Sequence, residues 1–233
     1  APATPSPAGA FLASALLPGA GQYRLDAERW VAYLGVELWA WLTYVDARTE
    51  VADLEAEYRD LAWGVARRIS VGERMDREFE YYEAMSTFPE SGSFDADPAM
   101  SGIQPEEDTL AFNGKVWLLA RAIYYPAGSD SLPPTAQEHA AALDYYERNA
   151  IEPAFAWSWG ANQLEHEHFR TLIRQSDEAA RAATTNLGVI LVNHVVSAVD
   201  ALITARLRGT GREPPLRLRT RSIGGRFGPA NYL

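Results

Sequence analysis

The chain has no cysteine, which excludes disulfides, thiolate metal sites and a cysteine nucleophile. Lysine is nearly absent too. Lys115 is the one lysine among 21 basic residues, a bias we read as coding composition before function. Acidic residues outnumber basic ones 31 to 21, a net charge of −10, so the chain does not offer the positive surface that nucleic-acid binding needs. Proline and glycine are missing from two long stretches. Residues 27–70 contain no proline and only Gly35 and Gly64; residues 161–208 contain no proline and only Gly188. Without those breakers each stretch reads as one long helix.

What is present sets the class. Over 233 residues, 47% are hydrophobic and 22% charged, enough for a sizeable core and too apolar for global disorder. The two long helices mirror each other. The first is apolar over 30–45 and charged beyond; the second is charged first and apolar over 187–205. Antiparallel pairing sets apolar beside apolar. Shorter helices are expected over 11–17, 76–88, 113–124 and 136–149, the last behind Thr135 as its cap, and Asp26 is a candidate cap for the first long helix. The expected fold is therefore mainly α, with two long antiparallel helices whose apolar halves suit a membrane, plus shorter helices and an extended C-terminal tail. The expected division is a flexible leader over 1–10, a helical domain over 11–208 with its soluble part at 46–186, and an arginine-rich tail over 209–233.

A helical membrane span needs about 20 apolar residues, and both apolar halves fall near that limit while carrying polar groups. At 100° per residue, Asn193, Ser197, Asp200 and Thr204 form one stripe. Trp30, Tyr33, Glu37 and Trp41 line one face of the first helix in the same way. Two helices that turn these faces together satisfy their polar groups internally and leave apolar faces outside. Glu37, Asn193, Ser197 and Asp200 are thus the candidate buried polar stripe. Trp30, Trp39 and Trp41 are candidates for contact with membrane or partner. So are Arg217, Arg219 and Arg221, which alternate with Leu216, Leu218 and Thr220 in a strand-like tail; from Arg206 onward the chain carries a net +6. A soluble bundle with the same residues in its core is the competing reading.

The segment Ser14-Ala15-Leu16-Leu17-Pro18-Gly19-Ala20-Gly21-Gln22-Tyr23 resembles the S-x-x-x-P-G-x-G-Q opening of an uncharacterised bacterial envelope family. An apolar helix follows at Trp30–Glu37, and a second element resembles Asn193 through Asp200-Ala201 to Ala205. Arg24 and Arg29 stand where that family often has a lysine or a glycine-rich turn. The resemblance covers 10–50 and 186–207. It implies a signal peptide, an envelope address and this architecture, with no reaction and no catalytic residue. Ala1-Pro2-Ala3-Thr4-Pro5-Ser6-Pro7 fits a processed leader, which places Ala1 outside the cytoplasm; the arginine tail favours the cytoplasmic side. Either Ala1 is not a processed end or the helices lie along the membrane without crossing it.

Chemistry-bearing constellations are thin. Glu165 and His168 stand at i,i+3, the spacing of a di-iron bundle motif, but a second such motif is missing from the sequence. His194 beside Ser197 and Asp200 lies on one helix, which does not supply convergent catalytic geometry. The reading is a non-enzymatic, membrane-associated envelope protein, periplasmic side favoured, acting as an accessory or structural subunit. Its expected partners are lipid or integral membrane subunits; no cofactor and no nucleic acid are expected. The alternatives are a helical metalloprotein using Glu165 and His168, and a soluble periplasmic ligand-binding module with Trp157 and Trp159 in its pocket.

Overall fold

The computed structural model describes residues 6–70, 72–125 and 133–210. Seven α-helices carry the fold: α1 (Pro7–Leu16), α2 (Ala20–Arg24), α3 (Trp30–Gly64), α4 (Phe79–Thr87), α5 (Phe112–Tyr124), α6 (Ala136–Asn149) and α7 (Gln163–Gly209). The long helices α3 and α7 pack together. Their pairing is antiparallel. Arg29, just before α3, meets Thr204; Glu37 meets Asn193; and Glu57 meets His168.

Several boundaries differ from the sequence expectation, among them the end of α3, which stops at Gly64 before a short 3-10 turn at Ala66–Ile69. Helix α1 reaches back to Pro7, inside the segment read as leader, because Ser6 caps it: its hydroxyl accepts from the Gly9 N–H at 3.1 Å, and Pro7 occupies the first turn, where its missing N–H costs nothing. Asp26 does not cap α3. It sits in a turn at φ 46°, and α3 starts four residues later. Helix α4 begins at Phe79 rather than at Asp76, which accepts from the Tyr82 hydroxyl at 3.2 Å. By contrast, α6 starts behind a full capping box of Thr135 and Glu138.

The chain forms two compact units. One takes the described residues up to Asp46 and from Ala182 onward; the other is Ala47–Arg181. The second unit buries its large apolar side chains. Tyr58, Tyr82, Met85, Trp157, Trp159 and Phe169 form its main core, all fully buried. Helices α5 and α6 pack around Trp117 and Tyr146. Asn113 joins the parts. Its Oδ1 accepts from the Ile151 N–H at 2.7 Å, and its Nδ2 donates to the carbonyls of Ile151 (3.0 Å) and Ser93 (3.1 Å). Arg67 is buried with no carboxylate partner among the described residues. Its guanidinium donates to the carbonyls of Met75 and Ala154 and lies over the rings of Trp63, Phe155 and Tyr81.

The first unit is built the other way round. Its interior is built of small and polar residues: Ser14, Gln22, Glu37, Asn193, Ser197 and Thr204 are buried beside alanines (Ala10, Ala27, Ala40, Ala183, Ala198, Ala201 and Ala205) and two larger aliphatic residues, Leu25 and Ile190. Most of its large aliphatic side chains, Leu25 and Ile190 apart, point outward.

Candidate functional site

The polar seam of the first unit starts at the break after α1. Pro18 ends that helix and Gly19 turns the chain at φ 91°, a backbone state that a side chain strains. The chain then doubles back as α2. Both helices contact the same part of α7, since Ala10 and Leu25 share a cluster with Ala201 and Ala205. The carbonyl of Ala15, near the tip, accepts instead from His194. So α1 and α2 form a hairpin that descends from the level of Ala205 to that of His194 and returns. Its α1 limb is ten residues, about 15 Å.

A turn in such a place exposes N–H and carbonyl groups that need partners. The Gly19 N–H donates to the Ser197 hydroxyl at 2.8 Å, and the Gly21 N–H to the Ser14 hydroxyl at 2.8 Å. Ser14 donates in turn to Gln22 Oε1 at 2.8 Å. Gln22 Nε2 donates both to the Ser197 carbonyl and to Asp200 Oδ2, each at 2.8 Å. Gly21 is there because nothing larger fits. A Cβ would stand 2.3 Å from the Ala10 carbonyl oxygen and 2.7 Å from the Ala201 Cβ.

Two further clusters extend the seam. Arg29 Nε donates to Asp200 Oδ2 at 2.7 Å, and its other arm bonds Thr204. Deeper, Glu37 receives three contacts. Trp41 Nε1 donates to Oε1 at 2.8 Å, Asn193 Nδ2 donates to Oε2 at 2.9 Å, and His194 Nε2 lies 3.1 Å from Oε1. Asn193 Nδ2 also donates to the Tyr33 carbonyl at 3.0 Å. The structure therefore brings Glu37 and Asn193 into one cluster and Ser197 and Asp200 into another. Of these, Asp200 is half-buried.

Around the seam the surface is aliphatic and aromatic. Leu16 (83% exposed), Leu42 (71%) and Leu191 (66%) mark its extent over α1, α3 and α7, and Trp39 and Trp41 are about half exposed. Trp30 is partly covered, edge-on to Tyr23 at 5.5 Å. Two grooves mark this face. One, of about 460 Å³, runs between Phe11 and Ala15 of α1 and Leu187, Leu191 and His194 of α7. The other, of about 450 Å³, is formed by Val36 with Gly188, Val192 and Val196. Among the described residues α7 is the one helix long and apolar enough to cross a membrane. Its best 18-residue window has a mean hydropathy of 1.8 and is only 33% buried.

The remaining candidates are placed elsewhere. Glu165 and His168 are exposed, and His168 Nε2 meets Glu57 at 3.3 Å; among the described residues no three His, Asp or Glu side chains gather as a metal set. Trp157 and Trp159 do not face a ligand pocket. They are core residues, and their indole N–H groups donate to the carbonyls of Phe88 and Met85. His166 stacks on Trp159 at 4.9 Å, and its Nε2 lies 3.1 Å from the carbonyls of both Met85 and Ser86. Burial pushes its pKa below the ordinary histidine value, against the pull of those two bonds. Arg217, Arg219 and Arg221, with the strand-like tail, lie outside the described residues.

Sequence reasoning weighed His194 only as a triad member and missed its contacts with Glu37 and Ala15, and it missed the part played by Gln22. Gln22 was visible as the last residue of the P-G-x-G-Q segment, but its role as the hub of the turn was not. The chain matches no family model, no curated protein and no solved structure.

Proposed function

We propose that the first unit is a membrane-embedded anchor, and that the protein is a non-enzymatic accessory or structural subunit of a larger bacterial envelope assembly. The observation that carries this reading is the build of that unit, with alanines and polar side chains inside and most of its large aliphatic ones outside. Water penalises exposed aliphatic surface at roughly 25 cal/mol per Å². A contiguous face of this kind marks a lipid or protein contact. The core helix of a soluble protein would hide its apolar window, whereas α7 leaves two thirds of its own open.

The hairpin supports the same reading. Non-helical backbone is tolerated at membrane depth only where protein satisfies it. Pro18 and Gly19 are buried, and Ser14, Ser197 and Gln22 take up the turn's polar groups. The polar side chains of the seam are thus engaged in holding the hairpin, the work of a scaffold. The apolar runs, Trp30–Val45 and Leu187–Ala205, are about 24 and 28 Å long, close to a 30 Å hydrocarbon layer. The resemblance of the P-G-x-G-Q segment to an envelope family points to the same address.

Fractionation of native cells tests it. Membranes washed in high salt and in carbonate should keep the protein, and mild detergent should release it in a particle larger than the chain, with its partner subunits. Recovery as a soluble monomer without detergent would overturn the proposal.

A further inference from the structure

The cluster around His194 carries more than packing. We propose that Glu37 and His194 form a single-proton site, and that the proton they share fastens the α1–α2 hairpin to the α3–α7 pair.

His194 Nδ1 lies 2.8 Å from the Ala15 carbonyl oxygen. A carbonyl only accepts, so Nδ1 carries a hydrogen. Nε2 is 3.1 Å from Glu37 Oε1. That contact needs one proton, held either by the ring as imidazolium against carboxylate, or by the carboxyl against a neutral ring. Both arrangements are neutral over the pair. No other neighbour can supply the proton: Trp41 and Asn193 donate their own hydrogens to Glu37 and keep them. Removing the shared proton sets a carboxylate against a ring lone pair. Adding a second leaves a net positive charge in a cluster where Glu37 is 6% exposed.

The surroundings isolate the pair. From α3 it meets Trp41, from α7 Asn193, and from α1 the uncharged carbonyl of Ala15. The charges of the upper seam, Arg29 and Asp200, bond each other. One side of His194 lines the groove between α1 and α7, which gives a path for proton exchange. Because the ring holds Glu37 on one nitrogen and the hairpin's last turn on the other, the proton's presence and the hairpin's seating are one event. The site stands on bonding within the first unit, whatever covers its outer face. Failure of membrane retention and failure of this site are therefore separate results.

The test is a pH titration of the full chain in mild detergent, with ¹⁵N-labelled histidine, the Glu37 carboxyl followed by infrared, and amide hydrogen exchange read over Ala10–Leu25. His194→Gln assigns the ring signal. In the wild type the ring signal of His194 and the carboxyl bands of Glu37 should both change at the pH where the shared proton leaves, because one group loses the proton and the other loses its hydrogen-bond partner. Hairpin exchange should quicken at least about tenfold where that proton leaves. In Glu37→Gln the His194 transition should move by about one pH unit or more, and hairpin exchange should lose its pH step. A His194 transition unchanged by Glu37→Gln, or a hairpin whose exchange ignores the proton in the wild type, overturns the proposal. Glu37→Gln keeps the shape of the side chain, so the test does not hang on a variant that fails to fold.

Discussion

The backbone N–H of Gly19 and the hydroxyl of Ser197, 178 residues apart, meet at 2.8 Å. This bond closes the first unit: it joins the tip of the α1–α2 hairpin to the middle of the apolar half of α7. Ser197 has no exposed surface, so the N–H of Gly19 has no water to replace it. Ser197→Ala should therefore cost about 1–3 kcal/mol, the penalty of one buried unpaired donor. Denaturation in detergent should show that loss, with hydrogen exchange rising over Gly19–Leu25 and staying unchanged in α5 and α6.

The glycines of this unit divide sharply. Gly21→Ala places a methyl against the Ala10 carbonyl and the Ala201 Cβ, and Gly19→Ala adds a strained φ to a 2.7 Å approach on the Trp30 carbonyl. Each should lower stability by about 1–3 kcal/mol or prevent folding. Gly35→Ala and Gly188→Ala meet open space within helices and should stabilise by roughly 0.5–1 kcal/mol. Four thermal melts separate the two classes. Similar losses in all four would contradict the hairpin geometry.

Much of this architecture was legible in the sequence, and the reason is physical. Helices α3 and α7 run on because no breaker interrupts them, and the 100° rule groups Asn193, Ser197, Asp200 and Thr204 without knowledge of any partner. The same rule sets His194 100° off that stripe. That rotation turns it toward α1, a helix whose position no pattern on α7 reveals. The P-G-x-G turn was readable as a turn. That it doubles back beside α7, with Gln22 bonding Ser197 and Asp200, depends on contacts more than 170 residues apart. Asp26 had the chemistry of a helix cap but not the position. Trp157 and Trp159 look the same in sequence whether they line a pocket or fill a core; only the carbonyls of Phe88 and Met85 on their indoles decide it.

In the second unit, Asn113 is the residue to remove. Its side chain makes three bonds, two to Ile151 and one to Ser93. Asn113→Ala leaves the Ile151 N–H and carbonyl unpaired in a buried place, while the Ser93 carbonyl keeps the Tyr146 hydroxyl, and should cost about 2–4 kcal/mol. Urea unfolding of the full chain should show it. Asn113→Asp should cost as much or more, since the carboxylate cannot donate to either carbonyl.

His166 makes that unit sensitive to acid. Its folded-state pKa lies below the unfolded value near 6.5, so the unfolded chain takes the proton first. Its contribution to stability is complete above about pH 6.5, falls as the pH drops from there through the folded-state pKa, and is flat below that. His166→Gln should flatten this part of the stability–pH curve. Denaturation midpoints between pH 5 and 8, wild type against variant, check it; a wild-type curve that rises on acidification would give the opposite sign.

The absence of cysteine gives the central claim a clean test, because any cysteine introduced is unique. Single cysteines at Leu16, Leu42 and Leu191, with Asp144 of α6 as reference, can each carry a nitroxide in the protein reconstituted into lipid bilayers. The account predicts that labels at 16, 42 and 191 are relaxed by oxygen and shielded from a water-soluble nickel complex, while the label at 144 shows the reverse. Labels at 16, 42 and 191 that the nickel complex reaches as freely as it reaches 144 would contradict the membrane-embedded reading.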